Sequence, residues 1–464
     1  MASSSATSFL SFITLVSLFL LPLSSSSSSE NSITIPLSVY PQTPSSDPFE
    51  TLNFLASASI SRAHRLKQPK SNSTFVTKTP LFPRSYGAYS ISLKFGSPPQ
   101  TSSFIMDTGS SLVWLPCTSR YLCSRCAFPN VDPSKIPTFS PKLSSSAELI
   151  GCENRKCKWV QGPNVKCKDC DQKKGNCTQS CPAYIIQYGS GSTAGLLLSE
   201  TLSFPEKAFT NILIGCSLLS IRQPSGIAGF GRGLESLPSQ LGLTKFSHCL
   251  VSRQFDDTSV SSDLVLYRSG DHKTAGEISY SPFQKNPSTS NPAFKEYYYV
   301  LIRKIVVGGK RVKIPYEYLV PGSDGNGGTI VDSGSTFTYL EKPVYDAVTA
   351  EFAKQMSHYK RELKVENQTG LSPCFDISQE KSVNFPDLVF QFKGGAKMAF
   401  PVENYFALVS GSGIVCLTMV TNNVAGPEIS AGPAIILGSF QQQNFYVEYD
   451  LKNDRFGFRP QSCK

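Results

Sequence analysis

Histidine is scarce in this chain. Four occur among 464 residues, at positions 64, 248, 272 and 358, and none sits in a recognisable motif. A hydrolase built on a Ser/His/Asp or Cys/His set, or a His-ligated metal enzyme, therefore finds little support. Acidic residues are the minority charge, 34 against 44 Lys and Arg, for a net charge of +10. That balance raises the question of nucleic acid, but the basic residues are not interleaved with aromatics and no nucleic-acid module is present. Long apolar runs are also missing. Beyond the first thirty residues nothing is long enough to span a bilayer, and Phe458 to Lys464 offers no hydrophobic tail of the kind that signals a lipid anchor. With 40% hydrophobic and 17% charged residues, the chain is far from the composition of a disordered protein and long enough for two substantial cores.

Helical periodicity is rare as well. The best case is Lys342 to Tyr359, where Val344, Val348, Phe352 and Met356 recur every four residues. A shorter helix is expected over Leu234 to Leu241. Most of the remainder is short strand-like runs separated by Gly, Pro, Asn and Ser, such as the alternating Tyr89 to Gly96, so the class is mainly β. Residues 1–29 read as a signal peptide: Phe9 to Leu23 is apolar and a serine run follows, although no Lys or Arg precedes it. Residues 30–80 read as a propeptide. Within it, Thr51 to Leu66 has helical spacing of Leu52, Leu55 and Ile60 and ends in the basic stretch Ser61 to Lys67. Such a helix could cover an acidic cleft by charge complementarity; a disordered linker is the alternative. Two body segments follow, 81–285 and 286–464.

Fourteen cysteines are present, nine of them between 117 and 181. Behind a signal peptide they read as a disulfide framework. The pairs Cys123/Cys126 and Cys167/Cys170 raise a zinc alternative, which the expected oxidising compartment disfavours. Connectivity does not follow from spacing. The pairs expected are Cys374–Cys416, and Cys463 with either Cys249 or Cys216. Sequons stand at Asn72, Asn176 and Asn367, the second with Cys177 in its middle position. The basic cysteine-dense stretch also suggests attraction to acidic wall polysaccharide.

The most informative pattern is a repeat. Phe104-Ile105-Met106-Asp107-Thr108-Gly109-Ser110 returns as Thr329-Ile330-Val331-Asp332-Ser333-Gly334-Ser335. In each copy an apolar run reads as a buried strand that delivers an Asp to a loop. The Gly removes a Cβ beside the carboxylate, and the hydroxyls can donate to its oxygens. One copy is ordinary turn chemistry. Two copies suggest a duplicated unit that contributes one carboxylate from each half. Two carboxylates that share a site cannot both ionise easily, so the pair can act as base and acid together.

These two motifs resemble those of the pepsin-type aspartic proteases, which carry Asp-Thr/Ser-Gly-Ser/Thr once in each lobe. The resemblance covers roughly the whole body of the chain. Gln187-Tyr188-Gly189-Ser190-Gly191 is similar to the family's mobile hairpin, the flap, with Tyr188 expected to pair with Trp114, and Gly189, Ser190 and Thr336 expected to meet substrate. Gly226 to Gly231 and Ala434 to Ser439 resemble the strands that back each Asp loop. The cysteine-dense insert resembles the plant nepenthesin-like branch in particular, although Ser190 stands where that branch often has Asp.

The resemblance implies a bilobal, β-rich fold with a cleft between lobes. It implies a secreted zymogen that matures to an endopeptidase with an acidic optimum and needs no cofactor or metal. Asp107 and Asp332 would be catalytic, Ser110 and Ser335 would hold their outer oxygens, and Thr108 and Ser333 would cross-link the loops around Gly109 and Gly334. The expected partner is a peptide or protein substrate, with the enzyme a monomer that is extracellular, wall-associated or vacuolar. The alternative is a catalytically silent inhibitor or binding protein on the same fold. Such relatives lose an Asp, a loop Gly or the flap Tyr, whereas this chain keeps all of them.

Overall fold

The structure, a computed structural model, describes residues 32–39, 48–67, 89–126, 135–168, 170–171, 176–188, 191–205, 207–223, 225–252, 261–268, 276–289, 291–409, 411–422 and 432–463. The signal-peptide segment, Asn72, His272, Gly189, Ser190 and the side chain of Asn176 lie outside the described residues. The fold is mainly β, as the short alternating runs predict. No helix among the described residues is long and apolar enough to cross a membrane.

One large sheet carries the first half. Its path runs from Tyr89–Phe95 to Gln100–Asp107, then Gly226–Gly229, Trp114–Pro116, Ala208–Ile221 and Gly191–Ser203. The second half has its own five-stranded sheet in the order Tyr298–Val300, Thr329–Val331, Ile435–Leu437, Thr338–Leu340, Met419–Val420. The two halves repeat one device. In the first, Gly226–Gly229 lies parallel to the Asp107 strand with Gly229 opposite Asp107. In the second, Ile435–Leu437 lies parallel to the Asp332 strand with Leu437 opposite Val331. These parallel partners are short, apolar and buried on both faces, as parallel strands require.

The halves are joined by shared strands. Phe445–Asp450 pairs antiparallel with Lys245–Cys249 and with Arg455–Pro460, which continues to Ser279–Pro282. Here Phe246 stacks on Tyr449, with ring centroids 4.4 Å apart. Burying each such ring contributes about 2–3 kcal/mol.

The leading segment is part of this architecture. Ser32–Val39 pairs with Ser261–Tyr267 over seven positions and then touches Tyr89–Phe95. Helix Pro48–Lys67 runs slightly past the predicted Thr51 to Leu66. Leu52, Leu55, Ala56 and Ala63, spaced on one helical face, are buried in an apolar cluster with Phe294, Tyr297, Phe337, Val365, Leu371 and Phe440 of the second half. The helix predicted over Lys342 to Tyr359 spans Lys342–Gln355 and buries Val344, Val348 and Phe352; that over Leu234 to Leu241 is confined to Leu237–Leu241.

Six disulfides are described: Cys117–Cys216, Cys123–Cys126, Cys152–Cys167, Cys157–Cys181, Cys249–Cys463 and Cys374–Cys416. Cys374 and Cys416 face each other across paired strands. The choice left open for Cys463 falls to Cys249, because Cys216 lies on a strand beside Cys117 and is bridged there. The Cys-x-x-Cys pairs do not join: Cys123 and Cys126 bridge each other, while Cys167 reaches Cys152. Among the described residues no group of three or more His, Cys, Asp or Glu could hold a metal ion.

Candidate active site

Asp107 ends the strand Gln100–Asp107, and Asp332 follows the strand Thr329–Val331; both carboxylates are buried. Each is held by the same contacts. The Gly109 N–H donates to Asp107 Oδ1 at 3.0 Å and the Ser110 hydroxyl to Oδ2 at 2.5 Å. The Gly334 N–H donates to Asp332 Oδ1 at 3.0 Å and the Ser335 hydroxyl to Oδ2 at 2.6 Å. Hydrogen bonds to the charged form favour it.

The two loops interlock. The Thr108 N–H donates to Ser333 Oγ at 3.1 Å, and the Ser333 N–H donates to Thr108 Oγ1 at 2.9 Å. Each hydroxyl then donates onward into the opposite half, Thr108 to the carbonyl of Val331 and Ser333 to that of Met106. The glycines are obligatory for this approach. A Cβ on Gly109 would lie 2.6 Å from Asp332 Oδ1, and one on Gly334 would collide with Asp107 Oδ1. The absence of a Cβ inferred from the motif is thus used by the other carboxylate itself.

The backing strands lock the loops from behind. The Phe230 N–H donates to the Asp107 carbonyl at 2.7 Å and the Gly231 N–H to that of Ser110 at 2.8 Å. In the second half the Asp332 N–H donates to the carbonyl of Leu437, and the N–H groups of Ser439 and Phe440 donate to the carbonyls of Ser335 and Thr336. Thr336 is therefore tied by its backbone and buried. Tyr184–Tyr188 pairs with Gly191–Ser203 as a hairpin, and its Tyr188 hydroxyl accepts from Trp114 Nε1 at 2.7 Å. Both side chains are buried and their rings pack with centroids 6.1 Å apart.

One residue of the site was not singled out from the sequence. Arg62, on helix Pro48–Lys67, inserts its guanidinium between the two carboxylates. Nη2 forms an ion pair with Asp107 Oδ1, and Nε donates to Asp332 Oδ2 at 3.1 Å. Nη2 also lies 3.3 Å from Asp332 Oδ1. Burial by itself would loosen the guanidinium's hold on its proton, but Asp107 and Asp332 outweigh burial and hold it above the ordinary arginine value. Burial pushes Asp332 up; the Arg62 charge, the Ser335 hydroxyl and the Gly334 N–H outweigh it and hold this carboxyl below the usual range. One turn earlier, the Ser59 hydroxyl accepts from the Phe337 N–H at 2.7 Å and donates to the Leu55 carbonyl at 2.9 Å. The helix therefore occupies both the carboxylate pair and a backbone donor just past the second Asp loop. The sequence signal for Arg62 is its phase: it falls on the same helical face as Leu52, Leu55 and Ser59, a position that the bulk charge of Ser61 to Lys67 does not reveal.

Comparison with known proteins adds a family. Residues 89–266 match the model described as xylanase inhibitor N-terminal, and residues 297–460 match xylanase inhibitor C-terminal. A probable aspartyl protease of Arabidopsis thaliana is 34% identical over 417 residues, covering 81% of this chain and 82% of that one. Aspartic proteinase nepenthesin-1 of Nepenthes gracilis is 33% identical over 386 residues, covering 81% of this chain and 78% of its own. Among solved structures, edgp superposes with a TM-score of 0.62 at 18% identity, covering 93% of this chain and 95% of its own. Basic 7S globulin from soybean gives 0.60 at 16%, covering 93% and 97%. These two likenesses speak for the pepsin-like fold alone.

Proposed function

The chain belongs to the nepenthesin-like family of plant aspartic proteases, and from that membership we propose that it is a secreted endopeptidase, made as a zymogen and active in acid. The single observation that carries this reading is the reciprocal pair of Asp loops, each carboxylate held by its own Gly N–H and Ser hydroxyl and each approached by the other loop's glycine.

With the leader displaced, the carboxylates would share one proton and hold a water between them. One Asp would take a proton from the water as it attacks the peptide carbonyl, and the other would donate a proton to the developing oxyanion. Ser110 and Ser335 favour ionisation of one member. Tyr188, held by Trp114, would set the height of the closing hairpin over the substrate backbone, and closure would exclude water.

Arg62 supports the zymogen part of the reading, since its side chain fills the space where that water would stand. We assign residues 1–29 to a signal peptide, 30–80 to the proregion, 81–285 to the first lobe and 286–464 to the second, with the mature enzyme a monomer outside the cell or in the vacuole. The chain's net positive charge of +10 suits attraction to acidic wall polysaccharide. Asn367, exposed on helix Leu363–Thr369, is a glycosylation candidate together with Asn72 and Asn176.

A catalytically silent inhibitor or binding protein of the cell wall is the second reading, favoured by the names of the two matching family models. The two readings part on one experiment. Full-length protein is incubated at acidic pH with a denatured protein, with and without pepstatin, beside Asp107→Asn and Asp332→Asn. The endopeptidase reading expects pepstatin-sensitive cleavage that each variant loses by orders of magnitude while staying folded. Cleavage that survives either substitution, or no cleavage at any acidic pH after the leader is removed, would overturn it.

A further inference from the structure

Two tyrosines outside the Asp motifs stand in matching places. Tyr298 pairs with Val331, the residue before Asp332. Tyr89 precedes Ser90, which pairs with Ile105, two residues before Asp107. Each therefore lies on the strand next to its own Asp strand, and each is fully buried. Their hydroxyls cross to the other half. Tyr298 OH donates to the Phe230 carbonyl at 2.9 Å, with Gly231 O at 3.4 Å. Phe230 and Gly231 are the residues whose N–H groups hold the Asp107 loop. Tyr89 OH accepts from Gln443 Nε2 at 2.9 Å and donates to the Val251 carbonyl at 2.6 Å. Gln443 follows Ser439 and Phe440, whose N–H groups hold the Asp332 loop. Next to the Tyr298 contact, the Arg232 N–H donates to the Glu296 carbonyl across the same boundary at 2.8 Å.

We propose that Tyr298, with Tyr89 as its counterpart, is a positioning residue that sets the separation and tilt of the two carboxylates. The backbone of Tyr298 pairs with the Asp332 strand while its hydroxyl holds the Phe230 carbonyl behind Asp107; Tyr89 begins the strand beside the Asp107 strand, and its hydroxyl holds the side chain of Gln443, three residues past Phe440. One rigid ring therefore spans both members of the pair. The interlocked Thr108 and Ser333 fix the loops at their tips; the tyrosines fix them from below. Because the coupling between two carboxylates depends on their spacing, the tethers bear on where the pair gains and loses its shared proton.

This inference rests on the endopeptidase reading. Its test uses full-length protein secreted and processed by the producing cell, as wild type, Tyr298→Phe, Tyr89→Phe and Tyr345→Phe. The last removes a hydroxyl that donates to Ser372 O at 2.6 Å within the second half, away from either loop. Peptide cleavage is followed as kcat and KM across acidic pH. Tyr298→Phe should lower kcat about tenfold, the loss of one buried hydrogen bond, with KM little changed. The two limbs of its pH profile should move toward each other as the carboxylates separate. Tyr89→Phe should shift the limbs in the same direction and carries the test if Tyr298→Phe is not secreted. Tyr345→Phe should reproduce the wild-type profile. Superimposable profiles for both tether variants, even with lowered melting temperatures, would reduce the tyrosines to structural residues while leaving the endopeptidase reading intact. An equal shift in Tyr345→Phe would overturn the tether role in the same way. A processed wild type without peptidase activity would overturn both.

Discussion

Arg62 Nε donates to Oδ2 of Asp332 across 3.1 Å, although 270 residues separate the two in the chain. The same guanidinium also pairs with Asp107. Breaking a buried ion pair by removing one partner typically costs 3–5 kcal/mol. On the proposed maturation the loss would fall on the leader-bound form alone, because residues 81–464 do not include Arg62. Arg62→Ala in a chain whose leader cannot be cut should therefore raise peptidase activity at least tenfold over the equivalent uncut wild type. The apolar contacts of Leu52 and Leu55 would keep part of the block. An uncut Arg62→Ala chain as silent as wild type would show that the apolar face of the helix blocks the cleft without the cation.

The same pair sets a direction with pH. The folded value for Asp332 lies below its unfolded value. Its contribution to stability is thus complete above the unfolded carboxylate value of about 4 and is lost as pH falls through the lower folded value. Helix Pro48–Lys67 should keep a high and constant hydrogen-exchange protection factor from neutral pH down to about pH 5. It should then open as the solution is acidified further. Opening on the alkaline side instead would contradict the assignment of Arg62 to these carboxylates.

His248 makes a third case. Neither ring nitrogen has a hydrogen-bond partner among the described residues, and the ring is buried near Tyr449. Burial pushes its pKa down to about 3. The unfolded chain takes up this proton below about pH 6.5 and the folded chain does not. Stability is therefore lost as pH falls, by up to about 1.4 kcal/mol per unit, until the folded value is reached. His248→Leu should melt higher than wild type at pH 4, with the advantage shrinking towards pH 7.5. An advantage of equal size at both would mean that packing, not protonation, is responsible.

At the hairpin, Tyr188→Phe leaves the buried Trp114 N–H without its acceptor, at a cost of about 1–3 kcal/mol. Turnover should fall accordingly while the ring contact is kept. Tyr188→Ala should lose far more, with residual activity still blocked by pepstatin. Wild-type cleavage by Tyr188→Ala would reduce the hairpin to a surface turn.

Much of the site was legible because its signals are local. An apolar strand, an Asp, a Gly and a hydroxyl lie within seven consecutive residues, and they occur twice. Tyr188 likewise stands beside its own glycine-rich tip. What was not legible depends on distance. Cys463 had two plausible partners until the sheet placed Cys249 beside it and Cys117 beside Cys216. Arg62 is one of several cations in Ser61 to Lys67, and what brings it to the carboxylates is the packing of Leu52, Leu55, Ala56 and Ala63 against residues far along the chain, Tyr297 and Phe337 among them. Tyr89 and Tyr298 carry no motif, because their role lies in register with strands far along the chain. The strand Ser32–Val39 alternates apolar and polar residues, but Pro36 removes a donor from it and weakens the pattern.

That strand has a further consequence. Seven of its residues are zipped to Ser261–Tyr267, and it lies between that strand and Tyr89–Phe95 in the sheet. A cut anywhere between residues 68 and 88 severs the chain but breaks none of these rungs. Scission and departure would then be separate events, with a nicked two-chain molecule between them. Departure of the leader would bare the backbone edge of Ser261–Tyr267, which any spare strand nearby could claim. The shelf life of the leaderless body, and its tendency to clump, would be decided at that edge.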